Sequence, residues 1–169
     1  PWTYIAENLR TTKTSTGEEI PSYENPDNPS PKYGKLYKWN VVVNDESTNS
    51  PSNKGICPTG FHIARLNEAG SMLYNNSGDG EILSLTGWNG ISPTNSLGFN
   101  MYPSGMYSSG GFLSASPGYQ YLGTKAYFWV NELNGPTQKI WWAEVESNDG
   151  RIAFVESDSL VAPCRCVKD

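Results

Sequence analysis

The chain has one histidine and three cysteines, the side chains best suited to catalysis or to binding a metal. Cys57 and His62 stand close together in the segment GICPTGFHIARLNEAGSML, residues 55–73, whereas Cys164 and Cys166 lie near the end of the sequence. A tetrahedral zinc site needs four ligands at characteristic spacings, and a cysteine nucleophile needs a base that a third group orients. Neither set is complete here, so we predict no metal site and interpret His62 as a hydrogen-bonded structural residue.

The odd number of cysteines allows one bridge and one thiol in an oxidising compartment, or three thiols in the cytosol. A Cys57–Cys166 bridge would close a long loop and restrict the unfolded chain by ~4.7 kcal/mol in the entropy model. In the competing Cys164–Cys166 pair, two alternate residues of one strand would hold their Cβ atoms ~6.5–7 Å apart, near the limit of disulfide geometry. We favour the long bridge.

Aromatic and amide side chains concentrate in the second half of the chain, where stacking on a sugar ring or hydrogen bonding to a ligand is possible. We predict a ligand-binding surface over residues 102–134, with one further candidate on a following strand. Its candidate contacts are Tyr107, Tyr119, Tyr121, Trp129, Asn131, Glu132, Asn134 and Trp142. A core role explains most of the tryptophans as well, because alternate residues of a strand point to opposite faces.

The segment WVNELN, residues 129–134, offers amide and carboxylate oxygens of the kind that calcium accepts. The polar end of a hairpin explains the same residues. We therefore predict no cofactor, and calcium is the one cation that this segment suggests.

Composition limits the classes of protein that remain. With 169 residues the chain fits a single domain, residues 1–169, and its 6 Trp, 10 Tyr and 5 Phe indicate an aromatic core. A net charge of -5 without any basic cluster argues against nucleic acid as a partner, since phosphate binding needs cationic side chains. No apolar stretch is long enough for a membrane span, and no leader segment stands out, so we expect either a cytosolic protein or the processed part of an exported one.

Local patterns predict a mainly β protein with much irregular chain. Residues 1–13 predict a first strand, residues 14–32 hold four prolines and predict a surface excursion, and alternation in residues 33–44 favours a strand. One helix is expected where Leu66, Ala69 and Leu73 recur at helical spacing. Residues 75–123 are loop-rich, and four strands follow, over residues 126–133, 139–147, 151–157 and 164–169, with hairpin signals between the first three.

Several segments in a fixed order resemble a known family, the Fibrobacter succinogenes major paralogous domain, found in exported proteins of Bacteroidetes. These segments are WTYIAENLRT, GEEIP, YGKLYKWN, GICPTGFHI, TNSLGFNMYPSG, GGF, AYFWVNE and RCVKD. The resemblance covers nearly the whole chain. It implies an α+β, C-type lectin-like fold, in which a twisted antiparallel sheet carries two short helices and long irregular loops.

The resemblance also implies a Cys57–Cys166 bridge, which leaves Cys164 as an extra thiol. It changes the prediction for residues 33–44 from a strand to a short helix, with Leu36, Trp39 and Val43 on one face, although successive valines favour a strand. We predict structural roles for Trp39 and, on the first strand, for Trp2.

For function, the resemblance implies an extracellular or cell-surface binding or adhesion module, secreted or anchored as a lipoprotein, that recognises a glycan or protein ligand without catalysis. One alternative is an enzyme of the formylglycine-generating type, which shares the general fold and needs two cooperating cysteines in a groove. The other is a structural subunit of a surface filament.

Overall fold

A computed structural model describes residues 2–44, 54–75, 81–110, 116–131, 138–144, 150–155 and 160–169, with the backbone alone for 72–75, 138–144 and 150–155. This part of the chain is a mixed α/β structure with antiparallel sheets and short helices. The α-helices are α1 (Trp39–Val43) and α2 (Leu66–Asn75), and a 3-10 helix spans Pro31–Tyr33. The strands are β1 (Tyr37–Lys38), β2 (Phe61–Ile63), β3 (Met106–Ser108), β4 (Gly118–Gln120), β5 (Lys125–Val130), β6 (Gln138–Glu144), β7 (Gly150–Val155), β8 (Leu160–Ala162) and β9 (Cys166–Lys168).

The strands form three antiparallel sheets, ordered β1-β8-β3-β4, β2-β9 and β5-β6-β7. Strands β6 and β7 agree with the predicted C-terminal hairpins. Strands β3, β4 and β8 are three residues long each and were not predicted, because so short an element leaves no readable alternation of apolar and polar residues. No helix in the described ranges is long and apolar enough to cross a membrane.

Strand β5 lies between two apolar clusters and is therefore buried on both faces. Tyr127 and Trp129 point into one cluster together with Trp39 and the cysteines. Ala126, Phe128 and Val130 point into the other. The uninterrupted apolar run of this strand follows from the double burial, which leaves no face for polar side chains.

The segment 33–44 contains both a strand and a helix. The helix predicted from the resemblance is present as α1, but it begins only at Trp39, after β1, so Leu36 packs from an extended backbone. Trp39 and Val43 are buried in the core, and α1 ends where Asn44 adopts a left-handed conformation with φ 52°. Trp39 packs on Trp129 with ring centroids 5.4 Å apart.

Helix α2 is present where it was predicted, and residues 61–63 before it form β2. The start of α2 carries no Ser, Thr, Asp or Asn cap. Instead Glu68 reaches back and accepts a hydrogen bond from the Arg65 backbone N–H at 2.7 Å, which is half of a capping box. The sequence signal for the start of α2 is therefore the glutamate in its first turn.

The N-terminal residues lie alongside β9 but do not form the predicted first strand. Ile5 N–H donates to Cys166 O at 2.9 Å, and Tyr4 and Val167 form an isolated bridge. The Ile5 carbonyl accepts a hydrogen bond from the fully buried Arg165 guanidinium, at 3.0 Å, in place of a strand partner. Arg165 thus interrupts the ladder that alternation predicts.

The Arg165 guanidinium holds three segments together. It donates to Asn8 Oδ1 at 2.8 Å, to Phe99 O at 2.7 Å and to Asn100 O at 2.6 Å, and it lies 4.4 Å from the centroid of the Phe99 ring. Burial lowers the pKa of Arg165 to about 9, which still leaves it charged at neutral pH. The charge is tolerated in the core because carbonyl oxygens surround it.

Candidate functional site

Three tyrosines cluster at the surface on the sheet that contains β3 and β4. Tyr23 stacks on Tyr107 with ring centroids 5.5 Å apart and an interplanar angle of 21°. Tyr107 in turn meets Tyr119 nearly edge to face, at 5.1 Å and 65°. All three are partly exposed, and we call them the tyrosine patch.

The strands explain why these rings meet. Tyr107 lies directly across from Tyr119 in the β3–β4 register, and its chain neighbours Met106 and Ser108 are buried on the opposite face. The other edge of β3 pairs with β8, which is buried throughout. The patch therefore stands on strands that are anchored in the core, and its rings are held in place before any ligand arrives.

Tyr119 presents a neutral phenol. Burial, and then the nearby Tyr107 and Tyr23 hydroxyls, raise the pKa of Tyr119 above its usual value of 10.0. At neutral pH each hydroxyl can donate and accept a hydrogen bond while the ring offers an apolar face. This combination suits a sugar ring or a mixed polar and apolar protein surface.

Tyr121, also a predicted contact, lies just beyond the patch. Its ring is partly exposed and carries the Lys125 ammonium 4.6 Å from its centroid. Its backbone is left-handed, with φ 63°, which is uncommon for a bulky residue. The ring also packs on the buried Tyr127, with centroids 6.3 Å apart, so Tyr121 is attached to the core beside β5 and does not join the tyrosine patch through any ring contact among the described residues.

Two predicted contacts are corrected by their burial. Trp129 is fully buried, and its indole N–H donates to Tyr37 O at 2.8 Å, so it is a core residue that no surface ligand can reach. Asn131 is 1% exposed, and its backbone joins the end of β5 to the start of α2 through bonds with Ala64 and Leu66. The Trp129 side chain points inward because β5 has an apolar cluster on each face.

The remaining candidates cannot be placed on this surface. Glu132 and Asn134, which together with Asn131 offer the oxygen ligands suggested for calcium in WVNELN, lie outside the described residues. Trp142 lies in β6 opposite Tyr127 in the backbone register. Tyr23 was missed, because its segment is rich in proline and only the bridge between Tyr23 and Leu36 brings it to the sheet.

The cysteines form a buried clasp. Cys57 and Cys166 are joined by a disulfide with Cα atoms 5.9 Å apart, across a separation of 109 residues. Cys164 carries a buried thiol, and burial raises its pKa to about 12. All three sulfur atoms lie within 4.8 Å of one another. Among the described residues this is the one group of three histidine, cysteine, aspartate or glutamate side chains whose ligand atoms are close enough together for a metal ion. Two of the three sulfurs are joined in the disulfide.

His62 joins two elements through carboxylates. Its Nε2 lies 2.8 Å from Glu68 Oε1 in α2, and its Nδ1 lies 2.8 Å from Asp169 Oδ1 after β9. The imidazole is 3% exposed, so its geometry is that of a bridge between the β2–β9 pair and the helix. Trp2, predicted as structural, is instead 50% exposed, because the first strand that would have covered it is replaced by a single bridge.

Comparison with known proteins gives one match. The family model described as the Fibrobacter succinogenes major domain matches residues 2–168. No curated protein and no solved structure matches the chain.

Proposed function

The chain belongs to the Fibrobacter succinogenes major domain family, and on that premise we propose that it is a non-catalytic binding module of the bacterial cell surface that recognises a glycan or protein ligand. The observation that carries this proposal is the tyrosine patch. Three partly exposed rings in mutual contact, on strands with a buried opposite face, form a surface that is organised before binding.

Preorganisation supports a binding role in terms of energy. Ordering a side chain at an interface costs about 0.5–1.5 kcal/mol, and rings that already pack on one another have lost most of that freedom. Tyrosine combines an apolar face with a hydroxyl and is enriched among the residues that dominate binding energies.

We propose a C-type lectin-like fold for the module. This proposal is supported by antiparallel sheets, two short helices, long irregular segments and an N-terminal segment that lies beside the last strand. In such an arrangement the strands hold loops whose residues can change without loss of the scaffold.

The enzyme alternative finds no support in the positions of the cysteines. Chemistry of the formylglycine-generating type needs two cooperating thiols in a substrate groove. Here Cys57 and Cys166 are joined to each other, and Cys164 is fully buried with a pKa raised to about 12 by that burial. A thiol in such a place is inert, since the thiolate is the reactive species.

An exported location agrees with the same cysteines. One disulfide with one buried thiol is the pattern expected of an oxidising compartment. We therefore propose an extracellular or cell-surface location for the protein.

The proposal is tested by binding. The chain and a double variant, Tyr107→Ala with Tyr119→Ala, are applied to a glycan array and to an assay of adhesion to host or partner cells. We expect the chain to bind at least one ligand and the double variant to lose at least about tenfold in affinity, since tyrosines are frequent hot spots of binding interfaces.

The matched control truncates two other exposed side chains, Leu85→Ala with Leu97→Ala, which lie outside the patch and are 64% and 49% exposed. This control should bind as the unmodified chain does. An array without any binder, together with unchanged adhesion by the tyrosine double variant, would remove the support for the proposal.

A further inference from the structure

A second concave surface lies beside the β2–β9 strand pair, away from the tyrosine patch. It is a groove of about 590 Å³ between Trp2, the strand pair and the first turn of α2. Sites for small ligands fall in the range of about 300–1,000 Å³. Gly60 lines it, and a Cβ atom there would meet no atom within 4 Å, so the groove is open at this point.

The floor of this groove, which we call the Trp2 groove, is the group of His62, Glu68 and Asp169. Each ring nitrogen of His62 lies 2.8 Å from a carboxylate oxygen. The other carboxylate oxygen of Glu68 accepts a hydrogen bond from the Arg65 backbone N–H.

The remaining charged side chains of the groove are cations. Lys54, Arg65 and Lys168 also line it. Among the described residues that line the groove, these three cationic side chains outnumber the two carboxylates, Glu68 and Asp169, whereas the whole chain carries -5. This local excess of cationic residues on an acidic protein favours an anionic ligand.

Trp2 adds the second requirement of the ligand. Its indole is 50% exposed at the rim, and among the large apolar side chains of the described residues only Leu85 is more exposed. An exposed indole face beside cationic side chains is complementary to a molecule with one flat apolar face and one negative group. A pyranose ring that carries a carboxylate has both features.

We propose that the Trp2 groove binds an acidic sugar, a hexuronic acid residue, with its ring on Trp2 and its carboxylate towards Lys168 and Lys54. Lysine supplies point charges that suit a carboxylate in several orientations. The inference goes beyond the proposed function, since the Trp2 groove shares no residue with the tyrosine patch. A negative result at one site therefore leaves the other untouched.

The test is a titration of the chain with methyl glucuronide, methyl glucoside and inorganic phosphate, followed by the NMR signal of the Trp2 indole N–H. We expect a Kd of about 1 mM for the glucuronide, given the low affinity per atom of a single sugar. The neutral glucoside should bind at least about tenfold more weakly than the glucuronide. Added salt should weaken the binding of the glucuronide, because it screens the attraction between opposite charges.

The variants Trp2→Ala and Lys168→Gln change exposed side chains. Each should raise the Kd for the glucuronide about tenfold, as expected for loss of one ring contact or one charged hydrogen bond. Because Trp2→Ala removes the indole, binding to the variants is followed through the NMR signals of the β9 backbone amides that shift on titration. Lys32→Gln, an exposed lysine outside the groove, is the matched control and should bind as the unmodified chain does. The tyrosine double variant should also bind the glucuronide normally.

Three results would overturn the inference. The first is equal affinity for glucuronide and glucoside, or no binding of either, because the cations would then have no role. The second is inorganic phosphate binding as tightly as the glucuronide, which would make the site one for any anion. The third is an unchanged Kd for the glucuronide in a Trp2→Ala variant that keeps its thermal midpoint, which would show that the sugar ring does not stack on Trp2.

Discussion

At the scale of single residues, His62 joins β2 to α2 and to Asp169 through one carboxylate contact on each ring nitrogen. We expect His62→Leu to lower the free energy of unfolding by about 3–5 kcal/mol, because it leaves the Glu68 carboxylate buried without the imidazole. Glu68 is 0% exposed, so water cannot replace the lost partner. Urea denaturation of the purified chain measures the loss.

Asp169→Asn is the matched control, since it removes the other carboxylate of the same imidazole. The Asp169 side chain is 59% exposed, and an exposed ion pair contributes less than about 1 kcal/mol. If the two variants lose equal stability, the buried hydrogen bond is not the reason for the role of His62.

The thiol of Cys164 leads to a prediction about alkaline pH. Burial raises its pKa from 9.0 to about 12, so the folded chain keeps a proton that the unfolded chain releases. The contribution of this group to stability is full below pH 9 and is lost as pH rises towards 12. We therefore expect the chain to lose more stability between pH 9 and 11 than Cys164→Ala loses.

Urea titrations of both proteins at several pH values measure the difference, with an acid quench and mass mapping to verify that the Cys57–Cys166 bridge is intact. Parallel pH curves for the two proteins would mean that Cys164 ionises in the folded chain at its ordinary pKa.

At the scale of elements, the turn before β3 sets the position of the tyrosine patch. Gly105 has φ +63°, and a Cβ atom there would lie 2.1 Å from the Gln120 carbonyl oxygen in β4. Gly98 has φ +67° and open space around its Cβ position. We expect Gly98→Ala to lose about 1–2 kcal/mol from the left-handed backbone alone, and Gly105→Ala to lose about 1–3 kcal/mol more from the clash.

Thermal or urea unfolding of the two alanine variants isolates the clash, because the backbone strain is common to both. Near-ultraviolet circular dichroism of the tyrosines should change only in Gly105→Ala. Equal losses in the two variants would contradict the close contact between Gly105 and β4.

Elements could be predicted from sequence where they are long or where the resemblance supplied them. Helix α2 and strands β5, β6 and β7 lie within two to three residues of their predicted bounds. Strand β9 lies within the predicted strand over residues 164–169. The short strands β2, β3, β4 and β8 were not predicted, since their positions depend on partners distant in sequence, as β8 depends on β1 and β3. The valines of α1 show tertiary packing overriding local propensity.

The candidate site could be predicted only in part, for a physical reason. Tyr107, Tyr119 and Tyr121 were found as amphipathic side chains, and the structure places all three at least partly at the surface. Trp129 was misassigned because an aromatic residue gives no sign of which face it occupies. The continuous apolar run AYFWV was the available signal that β5 is buried on both faces.

At the scale of the whole molecule, the disulfide ties the middle of the chain to its end. The Cys57→Ala with Cys166→Ala variant, made in a Cys164→Ala background, should lose about 2–5 kcal/mol of stability relative to that background. The bond spans 109 residues, so its loss frees a long loop in the unfolded chain. A loss below about 1 kcal/mol, by urea denaturation, would indicate that the apolar core alone holds the two segments together.

The central claim is that the ring faces of the tyrosine patch contact the ligand, and isothermal titration with the first ligand found on the array tests it most directly. Tyr107→Phe keeps the ring and should bind within about threefold of the unmodified chain, whereas Tyr107→Ala should raise the Kd about thirtyfold, as a 2 kcal/mol hot spot would. A Tyr107→Ala protein that is folded and binds with an unchanged Kd would contradict the account.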